Sequence, residues 1–213
     1  MKKLLKYGIG ATVMLLLAFN SVYFKKLSDV KASSSIFDAK AYARNYFDTK
    51  LTPSIKDAIE INRLLWLLEN NREQAFDKYS HALGIGNIRY FLVKGQGQVV
   101  SVNENDVSIL ARADTNQTAL KMATEFVFGN AIRDASGKID INEFANTMDF
   151  NNVSAEINKI VRAEVLPQFK ANVKKGDSLQ FAGAIELNQE HLNTNDIEVI
   201  PVQVKITNTQ KKK

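Results

Sequence analysis

The chain has 213 residues, 45% of them hydrophobic and 24% charged, with a formal net charge of +5, a composition that belongs to globular proteins. Lys2, Lys3, Lys6, Lys25 and Lys26 precede residue 27 with no acid among them, so 23 basic and 23 acidic residues remain in the body, which leaves no surplus for the basic face of a nucleic-acid binder. The absence of Cys excludes disulfides, thiolate zinc sites, thiol nucleophiles and a lipid-modified Cys from these residues.

Tyr7 to Phe24 reads YGIGATVMLLLAFNSVYF, an uncharged run between two lysine clusters. It is at the short end of what spans a bilayer, with Tyr7, Tyr23 and Phe24 suited to the interfaces. The run predicts a transmembrane or signal helix within residues 1–26. Ala18-Phe19-Asn20 is a poor small-x-small cleavage site, so the segment reads as a retained membrane anchor, with the rest of the chain outside the cytoplasm, in the periplasm. Polar residues 27–35 read as a tether.

Ser35 with Asp38 resembles a capping box, and Phe37, Tyr42, Tyr46 and Phe47 give the following helix an apolar side. Thr52-Pro53 predicts the end of that helix and the start of another carrying Ile55, Ile59 and Leu64 to Leu68. A third helix is expected over Gln74–Leu83, ended by Gly84. Residues 36–84 thus read as a small helical domain, with Phe37, Tyr46, Phe47, Trp66 and Tyr79 as its core. Asp57 with Glu60, and Glu69 with Glu73, read as solvated charges on helix faces.

The pattern then turns to short β-rich runs. Strands are expected at Ile88–Val93, Gln98–Val102 and Val107–Ala111, with Gly84-Ile-Gly86 and Gly95-Gln-Gly97 as hairpin turns. Helices are expected at Ala119–Phe128 and Ser154–Val165, the second stopping before Pro167. SLQFAGAIEL and IEVIPVQVKI predict two last strands, with Pro201 putting the final one partly on an edge. Three strands, a helical insertion and two strands follow the chain order of an OB-like β-barrel; the alternative is a mixed sheet packed on helices. The expected class is α+β, with an OB-like α/β domain over 85–208 and a basic tail at 209–213.

Ile132 to Phe144, IRDASGKIDINEF, is close to a calcium loop. With Gly137 as the sixth position, Asp134, Ser136, Asp140 and Glu143 take the third, fifth, ninth and twelfth. The first position is Ile132, which offers no side-chain oxygen. The same letters also read as a turn at Asp134–Gly137, anchored by Ile139 and Ile141, with Asp140 or Asn142 capping a short helix. His81 and His191 are far apart, and no HExxH or GxSxG occurs. No catalytic residue and no cofactor is assigned, and the chain reads as not an enzyme.

GNAIRDASG at 129–137, DFNNVSAEIN at 149–158 and GDSLQFAGAIELN at 176–188 resemble the predicted periplasmic lipoprotein family, domain of unknown function 2291. KGQGQVV at 94–100 and IEVIPVQVKI at 197–206 fit the same family. The resemblance implies a small helical domain followed by an OB-like domain, in the neighbourhood of sugar ABC-transport systems. The missing lipid-bearing Cys departs from it and leaves the apolar helix as the anchor. Within the family-like phrases, Asn130, Arg133, Asp134, Asn152, Glu156 and Asn158 offer amides, acids and one Arg. These could line a pocket for a small polar ligand or pin irregular loops to the scaffold. The expected function is a non-enzymatic, membrane-anchored extracytoplasmic component accessory to sugar uptake, partnered by a transporter component or a small polar ligand. The alternative is a calcium-responsive module.

Overall fold

A computed structural model describes residues 37–111 and 119–207, together with residues 7, 8, 10, 12–14, 16 and 17. The expected tether at 27–35 and the tail at 209–213 lie outside the described residues, as does most of the Tyr7–Phe24 span. Among the described residues no helix is long and apolar enough to cross a membrane. Residues 1–37 form one compact unit and residues 38–213 another, and the sheet and its helices belong to the second.

Helix α1 spans Ala39–Tyr46 and is capped by Asp38, whose carboxylate accepts from Ala41 N at 2.9 Å. The helical path does not stop at Thr52-Pro53, as the sequence suggested. It widens into a π turn over Phe47–Leu51, continues through Thr52–Ser54, and tightens to 3-10 at Ile55–Asp57. The π turn explains the passage: Thr52 N–H reaches back five residues to Phe47 O. The wider turn makes room for a proline ring that would otherwise meet the preceding turn. A second π turn, Val161–Val165, stands in the same relation to Leu166-Pro167.

The chain then extends into β1, Ile59–Glu60, rather than staying helical, so Glu60 lies on a strand and Asp57 on the 3-10 turn. Helices α2, Ile61–Asn70, and α3, Arg72–Tyr79, follow, with Asn71 capping α3 through Gln74 N at 3.1 Å. The expected third helix ends four residues early, because Ser80–His81 forms β2 against the next strand. Trp66 is not core; it is 56% exposed on α2.

Strand β3 is one 15-residue strand, Ile88–Val102, where two strands and a glycine hairpin were expected. Gly95 and Gly97 are not turn residues. A Cβ at Gly95 would come within 2.4 Å of Ile61 Cγ2, and one at Gly97 within 2.8 Å of Leu110 O. The glycines allow helix α2 and strand β4 to approach the β3 backbone. Strand β4 is Asp106–Ala111, and β5 is Ala119–Ala123. The helix expected at Ala119–Phe128 is thus a strand. Ala, Leu, Lys and Met favour helix, but pairing with β4 on one side and with the last strand on the other overrides that weak preference.

Helix α4, Thr147–Ile160, begins seven residues before the expected start, because Asn146 caps it through Asp149 N at 2.9 Å. After the second π turn the path continues as α5, Leu166–Asn172. Strands β6, Ser178–Asn188, and β7, Ile197–Ile206, complete the sheet where expected. Pairings run β3-β4-β5-β7-β6 and return from β6 to β3, antiparallel except for β5–β7, with β1 parallel to β3 outside the ring. The architecture is mixed α+β.

The ring has two buried sides. Phe91, Val93, Ile109, Leu120, Phe181 and Ile185 point inward and share one core with Leu64 and Leu68 of α2, Phe76 of α3 and Phe169 of α5. On the outer side, Leu92, Ala184 and Ile200 form a cross-strand apolar row. The turn Ala131–Asp134 packs on β3, β6 and β7, and α4 packs on that turn and on α1.

Candidate functional site

The sequence drew attention to residues 129–158, and the structure gathers most of them. The turn Ala131–Asp134 buries Arg133 and Asp134 to 3% exposure each. Arg133 donates from Nε to Asp134 Oδ1 at 2.6 Å and from Nη2 to Oδ2 at 2.9 Å, a two-pronged pair between sequence neighbours. Its Nη1 donates to Phe150 O at 3.3 Å, and the guanidinium lies 3.5 Å from the centre of the Phe150 ring. Tyr46 of α1 reaches in with its hydroxyl 2.6 Å from both Arg133 O and Ser136 Oγ. Burial pushes the Tyr46 hydroxyl up to about 12.

Two residues of α4 hold the preceding bend. Ser154 Oγ lies 3.1 Å from Gly129 O and from Asn130 Oδ1, and Asn158 Nδ2 donates to Gly129 O at 2.9 Å. Gly129 has φ +75, so its carbonyl leaves the regular ladder and needs these side-chain partners. Of the six proposed ligand residues, buried Arg133, Asp134 and Asn158 and half-buried Asn130 therefore meet around this turn and bend. Asn152 is exposed on α4 and joins none of it; Glu156 faces Lys159 at 3.5 Å. The network satisfies itself and the local backbone, which leaves its polar atoms little capacity for a ligand.

The calcium-like oxygens do not converge either. Asp134 is held by Arg133, and Ser136 lies between Tyr46 and Lys138 N. Asp140 caps Asn142 N at 2.9 Å, starting the 3-10 turn Ile141–Glu143. Glu143 accepts from Tyr42 at 2.5 Å and faces Lys50 at 3.5 Å. Among the described residues no cluster of three His, Cys, Asp or Glu could hold a metal ion. Gly137 has a local reason of its own: its φ is +64, and a Cβ there would lie 2.4 Å from Nδ1 of His81. Ile139 anchors the loop in the core, whereas Ile141 is 42% exposed rather than an anchor.

The open concavity lies elsewhere. A groove of about 860 Å³ runs over β3, β6 and β7, lined also by Ile55 and Glu60 and by Glu164, Val165, Gln168, Phe169 and Asn172. Register puts Gln96, Gln180 and Lys205 in one cross-strand row, and Lys94, Ala182 and Gln203 in the next. Both rows share the sheet face that carries Leu92, Ala184 and Ile200 nearer the helices. Gln168 and Asn172 of α5 add two amides to the wall. Among the described residues, the side-chain amides of Gln96, Gln168, Gln180 and Gln203 make no hydrogen bond. The ionisable groups are mostly engaged. Lys94 donates to Lys56 O at 2.6 Å and lies 3.9 Å from Glu60, and Glu164 pairs with Arg44.

Sequence reasoning passed over these glutamines one by one, each an ordinary polar residue in a strand or helix. On the strands their shared signal is parity: each alternates with buried neighbours. Only register shows that the three strands present them side by side.

The model of the predicted periplasmic lipoprotein family (DUF2291) matches residues 12–205. The chain belongs to that family. The family description places its members at the periplasmic side of the cell envelope, although the 213 residues contain no Cys to carry a lipid. An OB-fold protein from Thermotoga maritima is similar in structure. It has 28% sequence identity and a TM-score of 0.71, over 80% of this chain and 99% of that one. No curated protein matches.

Proposed function

We propose that the chain is a non-enzymatic binding protein held at the periplasmic face of the cytoplasmic membrane, an accessory of solute uptake of the sugar type. The observation that carries this reading is the groove over β3, β6 and β7, whose glutamine amides make no hydrogen bond among the described residues while its acids and bases largely neutralise one another. Such a surface suits hydrogen bonding to something polar. The ring of strands is read as an OB-type barrel, the fold named for the Thermotoga protein, and such barrels serve binding through their surfaces and loops.

The test is in-cell photo-cross-linking from Gln180, followed by isolation of membranes. The reading expects an adduct with a component of a solute-uptake system. Adducts confined to cytoplasmic proteins would retire the location, and adducts confined to unrelated envelope proteins would retire the transport assignment.

A further inference from the structure

We infer that the groove takes an extended, uncharged polar peptide segment of a protein partner, added as a strand to the free edge of β7. The inference rests on the reading of the groove as a binding surface and names its occupant.

The ladder between β6 and β7 sets the direction of each backbone group. Thr207 N donates to Ser178 O at 2.7 Å, which makes Ser178 and Thr207 a hydrogen-bonded pair. The alternation of antiparallel pairing then assigns Gln180–Lys205 and Ala182–Gln203 to the same class. Leu179–Ile206 and Phe181–Val204 fall between them. The backbone N–H and C=O of Val204 and Ile206 therefore point away from β6. Strand β5 pairs with β7 at Ile197, Glu198 and Val199, and among the described residues no strand pairs with the side to which Val204 and Ile206 turn, although the π turn Val161–Val165 and α5 pack near β7. Among the described residues these groups have no hydrogen-bond partner. Val204 and Ile206 are partly buried and line the groove, and their outward groups stand about 6.8 Å apart, the repeat of an added strand.

Pro201 fits the same geometry. It pairs with Gly183 in the class that turns its backbone outward, so its missing N–H faces the free side rather than the ladder. An incoming strand would thus find donors at Val204 and Ile206 and none at Pro201, which limits the docked stretch to the end of β7. Across the groove, Gln168 stands where its side-chain amide could meet the far edge of that strand, while Asn172 Nδ2 donates to Gln168 O at 2.7 Å. Gln203 and Lys205 on β7 point into the groove between the docking positions. The lining sets the acids Glu60 and Glu164 against the bases Lys94 and Lys205, so the groove offers little net charge. That selects an uncharged polar sequence over a strongly acidic or basic one. A strand also uses the orphan backbone groups as a free sugar would not, because they repeat at the spacing of a peptide.

The experiment uses the full-length chain in detergent and a pool of fluorescent uncharged heptapeptides rich in Ser, Thr, Asn and Gln, read by anisotropy. Binding is expected for a subset of the pool. N-methylation of that subset at alternate backbone positions should weaken it at least tenfold. Val204→Pro, which removes an outward N–H and leaves the β6 ladder intact, should do the same. Gln168→Lys serves as a second variant should Val204→Pro fold poorly, and should favour acidic peptides over neutral ones. Equal binding of the N-methylated peptides would overturn the inference. So would a neutral oligosaccharide that binds and competes while Val204→Pro leaves its affinity unchanged; the binding reading would survive that result. A self-dimer abolished by Val204→Pro, with no peptide affinity, would replace the partner with a second copy. No binding by any peptide, together with an intact cross-link from Gln180, would sink the strand model and spare the proposed function.

Discussion

The buried network at residues 129–158 and the open groove along β7 are made from the same kinds of side chain, put to opposite uses. In the first, Arg133, Asp134, Tyr46, Ser154 and Asn158 are taken out of water and each finds a protein partner. In the second, Gln96, Gln168, Gln180 and Gln203 stay in water and find none among the described residues. Family-like polar phrases therefore need not mark a ligand site. A polar residue in a distinctive sequence phrase can be there because an irregular backbone bend needs its hydrogen bonds. An unremarkable Gln can be the one left free to bind.

Arg133→Ala tests this contrast most severely, because it leaves Asp134 charged and buried with no partner. A loss of about 3–5 kcal/mol is expected in urea unfolding. A smaller loss for Arg133→Met combined with Asp134→Leu would show that the orphaned charge causes most of it. If Arg133→Ala unfolds like the parent chain, the network is not structural and the ligand reading of these residues returns.

Gly137→Ala comes next. The left-handed backbone and the collision with His81 together predict a cost of about 1–3 kcal/mol. Adding His81→Ala should recover part of it, because only the steric share is relieved. Tyr46→Phe removes the hydroxyl between Arg133 O and Ser136, and should cost about 1–3 kcal/mol in the same assay.

His81 supplies a pH test. The burial of its ring against the loop, helped by the charge of Lys138, lowers its pKa from 6.5. A lowered value means that the neutral form is favoured by folding, so the contribution to stability is present above about pH 6.5 and fades as pH falls below it. Replacement by Gln should flatten the dependence of the unfolding midpoint on pH between about pH 7 and 5, relative to the parent chain. An unchanged slope would show that His81 does not bear on the loop.

The smallest effect belongs to the groove. Gln96→Ala and Gln180→Ala should each change stability by no more than about 0.5 kcal/mol, while the Gln180 environment remains the place to look for lost binding. A large destabilisation by either would mean that the groove, too, is scaffold.

Several features were legible without coordinates. β-rich runs located β4, β6 and β7, and Pro201 pointed to a last strand partly on an edge, as the short pairing of β5 with β7 leaves it among the described residues. The turn-and-cap reading of Asp134 to Glu143 matches the bonds made there. The misreadings share one cause. Ala119–Ala123 is a strand because two neighbours need it, Gly95 and Gly97 run straight because Ile61 and Leu110 approach them, and Thr52-Pro53 and Leu166-Pro167 pass through helices because a π turn precedes each. None of those neighbours is local in sequence, except for the π turns, which composition does not announce.

The order of residues was enough to establish the membership of the chain in its family, the charge-balanced body, and the positions of β4, β6 and β7, because these depend on composition and local pattern. Three-dimensional pairing alone settled which polar residues were buried and answered and which were left facing open water. Packing between helices and the Ala131–Asp134 turn buries the first set, and strand register puts Gln96, Gln180 and Gln203 on one face, where a one-residue slip of a strand would turn its glutamine to the other side.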